Sequence, residues 1–68
     1  MSVYKFIELV GTSEKSWEDA LKHVVETASK TLKDLRVAEV MEMDAKIDGN
    51  QVVMYRLKVK LSFKVHKD

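Results

Sequence analysis

The sequence predicts a small α+β subunit with the element order β-α-β-β. Residues 3–10 are rich in β-branched and aromatic side chains, a composition typical of a strand. Residues 16–34 repeat apolar positions every three or four residues, which indicates an amphipathic helix. Residues 37–47 and 52–65 again have extended character, and Asp48-Gly49-Asn50 between them predicts a hairpin turn.

Local signals place the junction between the first strand and the helix. Gly11, with Thr12 and Ser13, predicts a turn that ends the strand. Ser16 followed by Asp19 resembles a capping box with a shorter acid, so the helix is predicted to begin there. Its apolar face would comprise Trp17, Ala20, Leu21, Val24, Ala28, Thr31, Leu32 and Leu35.

The third strand alternates regularly between apolar and polar residues. Its apolar face would carry Val53, Tyr55, Leu57, Val59, Leu61, Phe63 and Val65. Its other face would carry Met54, Arg56, Lys58, Lys60, Ser62 and Lys64. This pattern predicts one sheet face on the helix and one face in water or against a partner. The second strand is less regular, and we expect a bulge near Met41.

The predicted topology follows from the order of the elements. A helix that joins two parallel strands makes a right-handed crossover, and the third strand can fill the gap between them. We therefore expect a three-stranded antiparallel sheet of order 1-3-2, wrapped on one helix. The third strand would extend beyond the helix, so that strand edges and apolar surface would not be covered by the same chain.

Chain length and composition predict a single domain, residues 1–68, that self-associates. A core this small normally needs disulfides, a metal or oligomerisation, and the chain has no cysteine. The formal net charge of +1 gives no drive toward nucleic acid. With no apolar run near membrane-spanning length and no signal-peptide pattern, we expect no membrane association and a cytoplasmic location. Catalytic motifs are absent from the sequence, so we expect no enzyme activity.

Four short stretches then suggest a family: Val3-Tyr4-Lys5, Glu8-Leu9-Val10-Gly11-Thr12-Ser13, Ser16-Trp17-Glu18-Asp19-Ala20 and Ala28-Ser29-Lys30-Thr31-Leu32. Together they resemble the dodecins, and the likeness covers essentially the whole chain. The resemblance implies β-α-β-β subunits that assemble into a hollow homo-dodecamer. It also implies flavin binding and storage rather than catalysis.

Two positions depart from the flavin site that the resemblance implies. The family pattern has a tryptophan after the helix that stacks on the flavin ring, and this chain has Val37. The pattern has a glutamine on the third strand that hydrogen-bonds the ring edge, and this chain has Arg56. Valine offers no aromatic face, and arginine donates hydrogen bonds but accepts none. We expect flavin binding to be weak or absent, with FMN favoured over riboflavin if Arg56 attracts its phosphate.

A second set of residues resembles a branch named calcium dodecins: Val37-Ala38, Asp44, Tyr55-Arg56 and Ser62-Phe63-Lys64. This resemblance implies a divalent cation as ligand. The candidate metal ligands are Glu42 and Asp44, which would share a strand face about 6–7 Å apart. The alternative is a charged face whose acids pair across the hairpin with basic residues of the third strand.

The remaining candidates have ordinary structural explanations. Trp17 is expected to pack in the core or between subunits, and His23 and His66 to lie on the solvated surface. Lys58, Lys60 and Lys64 would form a solvated face rather than a nucleic-acid site. Two functions remain open: a store for a flavin or a cation, or a shell with a structural role only.

Overall fold

The computed structural model describes residues 2–66. Strand β1 (Tyr4–Ser13) is followed by helix α1 (Trp17–Ser29), strand β2 (Leu35–Asp48) and strand β3 (Gln51–Lys64). The sheet order is β1-β3-β2, and both outer strands run antiparallel to β3. The predicted fold class and topology are therefore confirmed. Within residues 2–66, no helix has the length and apolarity needed to cross a bilayer.

Helix α1 begins as predicted but ends earlier. The Ser16 hydroxyl accepts a 3.0 Å hydrogen bond from the Asp19 backbone N–H, which caps the first turn. The helix ends at Ser29 rather than near Asp34, which adopts the left-handed conformation at φ 57°. The helical spacing of apolar residues continues past Ser29 because Leu32, in the connection between α1 and β2, also packs on the core.

The prediction that β1 ends in a turn at Gly11 is wrong, because the strand continues to Ser13. A Cβ at Gly11 would lie 2.3 Å from Val24 Cγ2 and 2.8 Å from the Ala20 carbonyl oxygen. Helix and strand therefore touch at this point, and only a residue without a side chain permits that approach. Gly11 serves packing rather than a change of chain direction.

The hairpin between β2 and β3 is confirmed. Asp48 pairs with Gln51, and the two residues between them, Gly49 and Asn50, both have positive φ, at 57° and 62°. This is the conformation that two-residue hairpin turns prefer, because it matches the twist of the strands.

Strand β2 is irregular, as its sequence pattern predicted. The expected bulge near Met41 is confirmed by a register shift against β3 at that position. Two further register shifts lie near the ends of the strand. Strand β2 starts at Leu35, two residues before the predicted start. The three shifts lie between Leu35 and Val37, Val40 and Glu42, and Lys46 and Ile47.

The core lies between one face of α1 and the central part of β3. Its buried members are Ala20, Val24, Ala28, Leu57, Val59 and Leu61. The 13-residue helix spans about 20 Å, whereas β2 and β3 have 14 residues each and span about 46 Å. Large apolar side chains outside this contact are exposed, including Val10, Val37, Val40, Met43, Ile47 and Val52.

Candidate functional site

The predicted site residues Asp44 and Arg56 meet directly across two strands. They are register partners in the β2–β3 pair, and Thr12 of β1 is the other partner of Arg56. Arg56 Nε donates to Asp44 Oδ1 at 2.6 Å, and Arg56 Nη2 donates to Asp44 Oδ2 at 2.9 Å. Both carboxylate oxygens are therefore engaged by one guanidinium, in the bidentate geometry that arginine favours.

The electrostatics of the pair follow from this contact. The hydrogen bonds from Arg56 hold the pKa of Asp44 below its ordinary value, and Asp44 raises the pKa of Arg56. The two side chains are about half exposed, at 52% and 50%. Because solvent screens such a pair, it orients the Asp44 and Arg56 side chains but contributes little to stability.

Helix α1 supports the same point of the sheet through Trp17. The indole N–H donates a 3.0 Å hydrogen bond to the Asp44 backbone carbonyl. The Trp17 ring also meets Tyr55 edge-on, with centroids 4.9 Å apart and an interplanar angle of 73°. The packing role predicted for Trp17 agrees with these contacts, but sequence reasoning missed the hydrogen bond, because the strand register was needed to find it.

Glu42 lies beside the ion pair. It shares a shallow cavity of about 200 Å³ with Asp44 and Arg56, and its register partner is Lys58. Within residues 2–66, no group of three or more histidines and carboxylates is placed to hold a metal ion. One subunit therefore offers two carboxylates at this cavity, and Arg56 already neutralises one of them.

Val37 lies away from the other candidate residues. Its register partner on β3 is Ser62, six positions from Arg56, which corresponds to about 20 Å along an extended strand. The Val37 side chain is 59% exposed. One subunit does not bring Val37 and Arg56 together, so a site that uses both positions would require residues from separate subunits.

The predicted basic face is interrupted by acids on the neighbouring strands. Lys60 is the register partner of Glu8 on one side and of Glu39 on the other. Its ammonium group also lies 4.4 Å from the centroid of the Phe6 ring. This arrangement agrees with a solvated, charge-balanced face.

The two histidines are on the surface, but each contacts an aspartate. His23 Nε2 lies 3.5 Å from Asp19 Oδ2, and His66 Nε2 contacts Asp34 Oδ2 directly. Their side chains are 55% and 57% exposed, as expected for surface residues. The aspartate partners were not predicted, although the spacing of four between Asp19 and His23 on a helix is a signal that could have found the first pair.

Comparison with known proteins agrees with the fold described above. Residues 3–66 match the family profile described as Dodecin. The chain is 45% identical over 65 residues to "Calcium dodecin" of Mycobacterium tuberculosis, covering 96% of this chain and 92% of that protein. It is 37% identical over 65 residues to "Dodecin" of Thermus thermophilus, covering 96% and 94%.

Solved structures give the same result. A Streptomyces coelicolor dodecin superposes with a TM-score of 0.92 at 31% identity, covering 98% of this chain and 96% of that one. A calcium dodecin from Mycobacterium tuberculosis, described as having a novel calcium-binding site, has a TM-score of 0.82 at 43% identity, covering 96% and 93%. The chain belongs to the dodecin family.

Proposed function

We propose that this protein is a non-enzymatic subunit of a hollow homo-oligomer, a dodecamer, that binds or stores a small ligand or ion in the cytoplasm. Residues 1–68 form its single domain. Flavin binding is weak or absent at the altered positions Val37 and Arg56, and calcium is the favoured ligand.

The Arg56–Asp44 contact is the observation that carries this proposal. In a flavin site a neutral amide at this position would both donate to and accept from the ring edge. Here a charged guanidinium stands instead, and two of its N–H groups already bind Asp44. Turning Arg56 toward a flavin would break that pairing. The exposed Val37 adds no aromatic surface on which a ring could stack.

The calcium proposal rests on the carboxylates beside the ion pair. Glu42 and Asp44 line the same cavity, and carboxylate oxygens are the ligands that Ca²⁺ prefers. Ca²⁺ takes six to eight oxygen ligands, so further oxygens would come from neighbouring subunits or water. The 45% identity to a protein named calcium dodecin supports the choice of ion.

Self-association is supported by the shape of the subunit. The fold is 53 Å long but only 13 Å thick, and the helix covers part of the sheet. The exposed Val40, Met43 and Ile47 lie on β2, at an outer edge of the sheet. Apolar side chains along a free edge strand are surface that a monomer normally protects.

Light scattering and calorimetry test the proposal together. We expect a mass of about twelve chains, as the family resemblance implies, and heat on titration with Ca²⁺ that Glu42→Gln and Asp44→Asn each reduce. The matched control is Glu39→Gln, which removes a carboxylate from the same strand, opposite Lys60. A stable monomer would contradict the proposed oligomer. Equal heats from the wild type and all three variants would exclude Glu42 and Asp44 as Ca²⁺ ligands.

The purified protein separates a ligand store from a shell with a structural role only. A bound metal or chromophore after purification supports the store. Protein that carries neither, and that binds neither Ca²⁺ nor flavin on titration, would leave the structural shell as the better description.

A further inference from the structure

Asp19 and His23 lie one helical turn apart on α1 and turn their side chains toward each other. The Asp19 Oδ2 and His23 Nε2 atoms are 3.5 Å apart, and the side chains are 28% and 55% exposed. This pair is at the junction of the helix with the end of β1, away from the cavity that holds Glu42 and Asp44.

The other ring nitrogen of His23 sets the orientation of the imidazole. His23 Nδ1 lies 3.4 Å from the Thr12 backbone carbonyl oxygen. A carbonyl only accepts, so Nδ1 carries the proton in this hydrogen bond. In the neutral ring the lone pair is then on Nε2, the nitrogen that faces Asp19.

Asp19 is held from its other side by Ser13. The buried Ser13 hydroxyl donates a 2.7 Å hydrogen bond to Asp19 Oδ2 and accepts one of 2.9 Å from the Lys15 backbone N–H. The hydrogen bond from Ser13 is the main cause that lowers the pKa of Asp19 below its ordinary value. Asp19 is therefore a carboxylate at neutral pH, and its position does not depend on His23.

We propose that Asp19 Oδ2 and His23 Nε2 bind Zn²⁺ or a similar late transition-metal ion. Zinc bonds of about 2.0–2.2 Å, at a tetrahedral angle of about 109°, place two ligand atoms about 3.4 Å apart. The 3.5 Å separation of Asp19 Oδ2 and His23 Nε2 is close to this distance. Each ligand also has the partner that metal ligands normally have, a backbone carbonyl for the histidine and a hydroxyl for the carboxylate.

The surroundings leave room for the remaining ligands. Asp19 and His23 open on a cavity of about 380 Å³ that Glu14 and Met54 also line, so water can complete the coordination. Lys15 and Lys22 both lie near Asp19 and oppose cation binding, while Glu14 offsets part of their charge. Imidazole nitrogen suits zinc, copper and nickel, whereas calcium prefers oxygen alone. This site would therefore not be the calcium site proposed above.

The second histidine–aspartate pair supplies a matched control. His66 contacts Asp34 directly, and Arg36 Nη2 lies 4.0 Å from the other oxygen of that carboxylate. With a guanidinium beside the carboxylate, this pair is a poorer metal site. His66→Gln removes a histidine of similar exposure and leaves the proposed site intact.

Titration of the assembled protein with ZnCl₂ tests the proposal by calorimetry. We expect saturable binding by the wild type and by His66→Gln, and at least a tenfold loss of affinity in His23→Gln and Asp19→Asn. Ser13→Ala, checked for its fold by circular dichroism, should weaken binding by about 10–100-fold, the usual effect of losing a ligand's supporting hydrogen bond. NMR signals of the His23 ring should shift on adding Zn²⁺, and those of His66 should not.

Three results would overturn this site: no saturable Zn²⁺ binding by the wild type, wild-type affinity in His23→Gln, or loss of binding in His66→Gln alone. The proposal is independent of the calcium site, because Glu42→Gln should bind Zn²⁺ as the wild type does. Failure of the Ca²⁺ titration would leave the Zn²⁺ result unchanged.

Discussion

Arg56 and Asp44 hold each other across β3 and β2 by two parallel hydrogen bonds, of 2.6 and 2.9 Å. The Trp17 indole binds the backbone of the same aspartate at 3.0 Å. One short segment of β2 is thus tied to β3 through its side chain and to α1 through its carbonyl. Val37 and Arg56, the two positions at which we predict an altered flavin site, therefore differ in their surroundings: Arg56 is bound to Asp44, whereas Val37 is exposed.

Flavin affinity should return when both altered positions are restored. Val37→Trp supplies a stacking surface, worth about 0.5–1.5 kcal/mol beyond area burial for an aromatic pair, and Arg56→Gln supplies a group that donates and accepts. We expect weak fluorescence quenching of riboflavin and FMN by the wild type and clear quenching by the double variant. Each single variant serves as a control and should recover less. Nanomolar flavin binding by the wild type would contradict the prediction.

The Asp44–Arg56 pair should make stability depend on pH in a defined direction. The pKa of Asp44 is lowered in the folded protein, so its stabilising effect is complete above the unfolded-state value of about 3.9 and is lost as pH falls through the lower folded-state value. The difference in Tm between wild type and Asp44→Asn should therefore be present at neutral pH and shrink below about pH 4. The control is Asp48→Asn at the exposed end of the hairpin. A Tm difference for Asp44→Asn that does not change between neutral and acid pH would contradict the assignment.

A methyl group at Gly11 should destabilise the protein through Val24. The added Cβ would lie 2.3 Å from Val24 Cγ2, and overpacking of this kind costs about 1–3 kcal/mol. We expect Gly11→Ala to lower the apparent free energy of unfolding, measured by urea at fixed protein concentration, and to cost less when Val24 is already alanine.

Gly49→Ala is the matched control for this cycle. It places alanine at φ 57° in open space, so it costs about 1–2 kcal/mol through backbone strain alone. That cost should be the same with valine or alanine at position 24. Equal costs of Gly11→Ala in both backgrounds would show that contact with Val24 is not the cause.

Replacing Trp17 by phenylalanine should separate its hydrogen bond from its packing. Phenylalanine keeps an aromatic ring near Tyr55 but cannot donate to the Asp44 carbonyl, so we expect a loss of about 0.5–1.5 kcal/mol in urea unfolding. Tyr55→Phe, which retains the edge-on ring contact, is the control and should cost less. If Trp17→Phe is as stable as the wild type, water must donate to the Asp44 carbonyl in place of the indole without loss of stability.

Sequence periodicity predicted the structure correctly where burial alone determined the pattern of apolar residues. The alternation of β3 placed Leu57, Val59 and Leu61 on the core face, where they are buried. The broken alternation of β2 indicated the bulge near Met41. Periodicity failed at the end of α1, because Leu32 packs on the core whether or not it is helical. The turn assigned to Gly11 failed because glycine also permits close packing, and the two uses are identical in sequence.

The candidate site shows the same division. The family resemblance marked Arg56, and the resemblance together with the preference of calcium for carboxylate oxygens marked Glu42 and Asp44. Register alone decided that Asp44 meets Arg56 while Val37 lies opposite Ser62, since a shift of one residue would turn each side chain to the other face. The sequence by itself determined the order of elements, the core face of β3 and the family. Only the tertiary structure decided which charges pair and which histidine nitrogen faces Asp19, because these depend on distances between residues far apart in the chain or on the orientation of a ring.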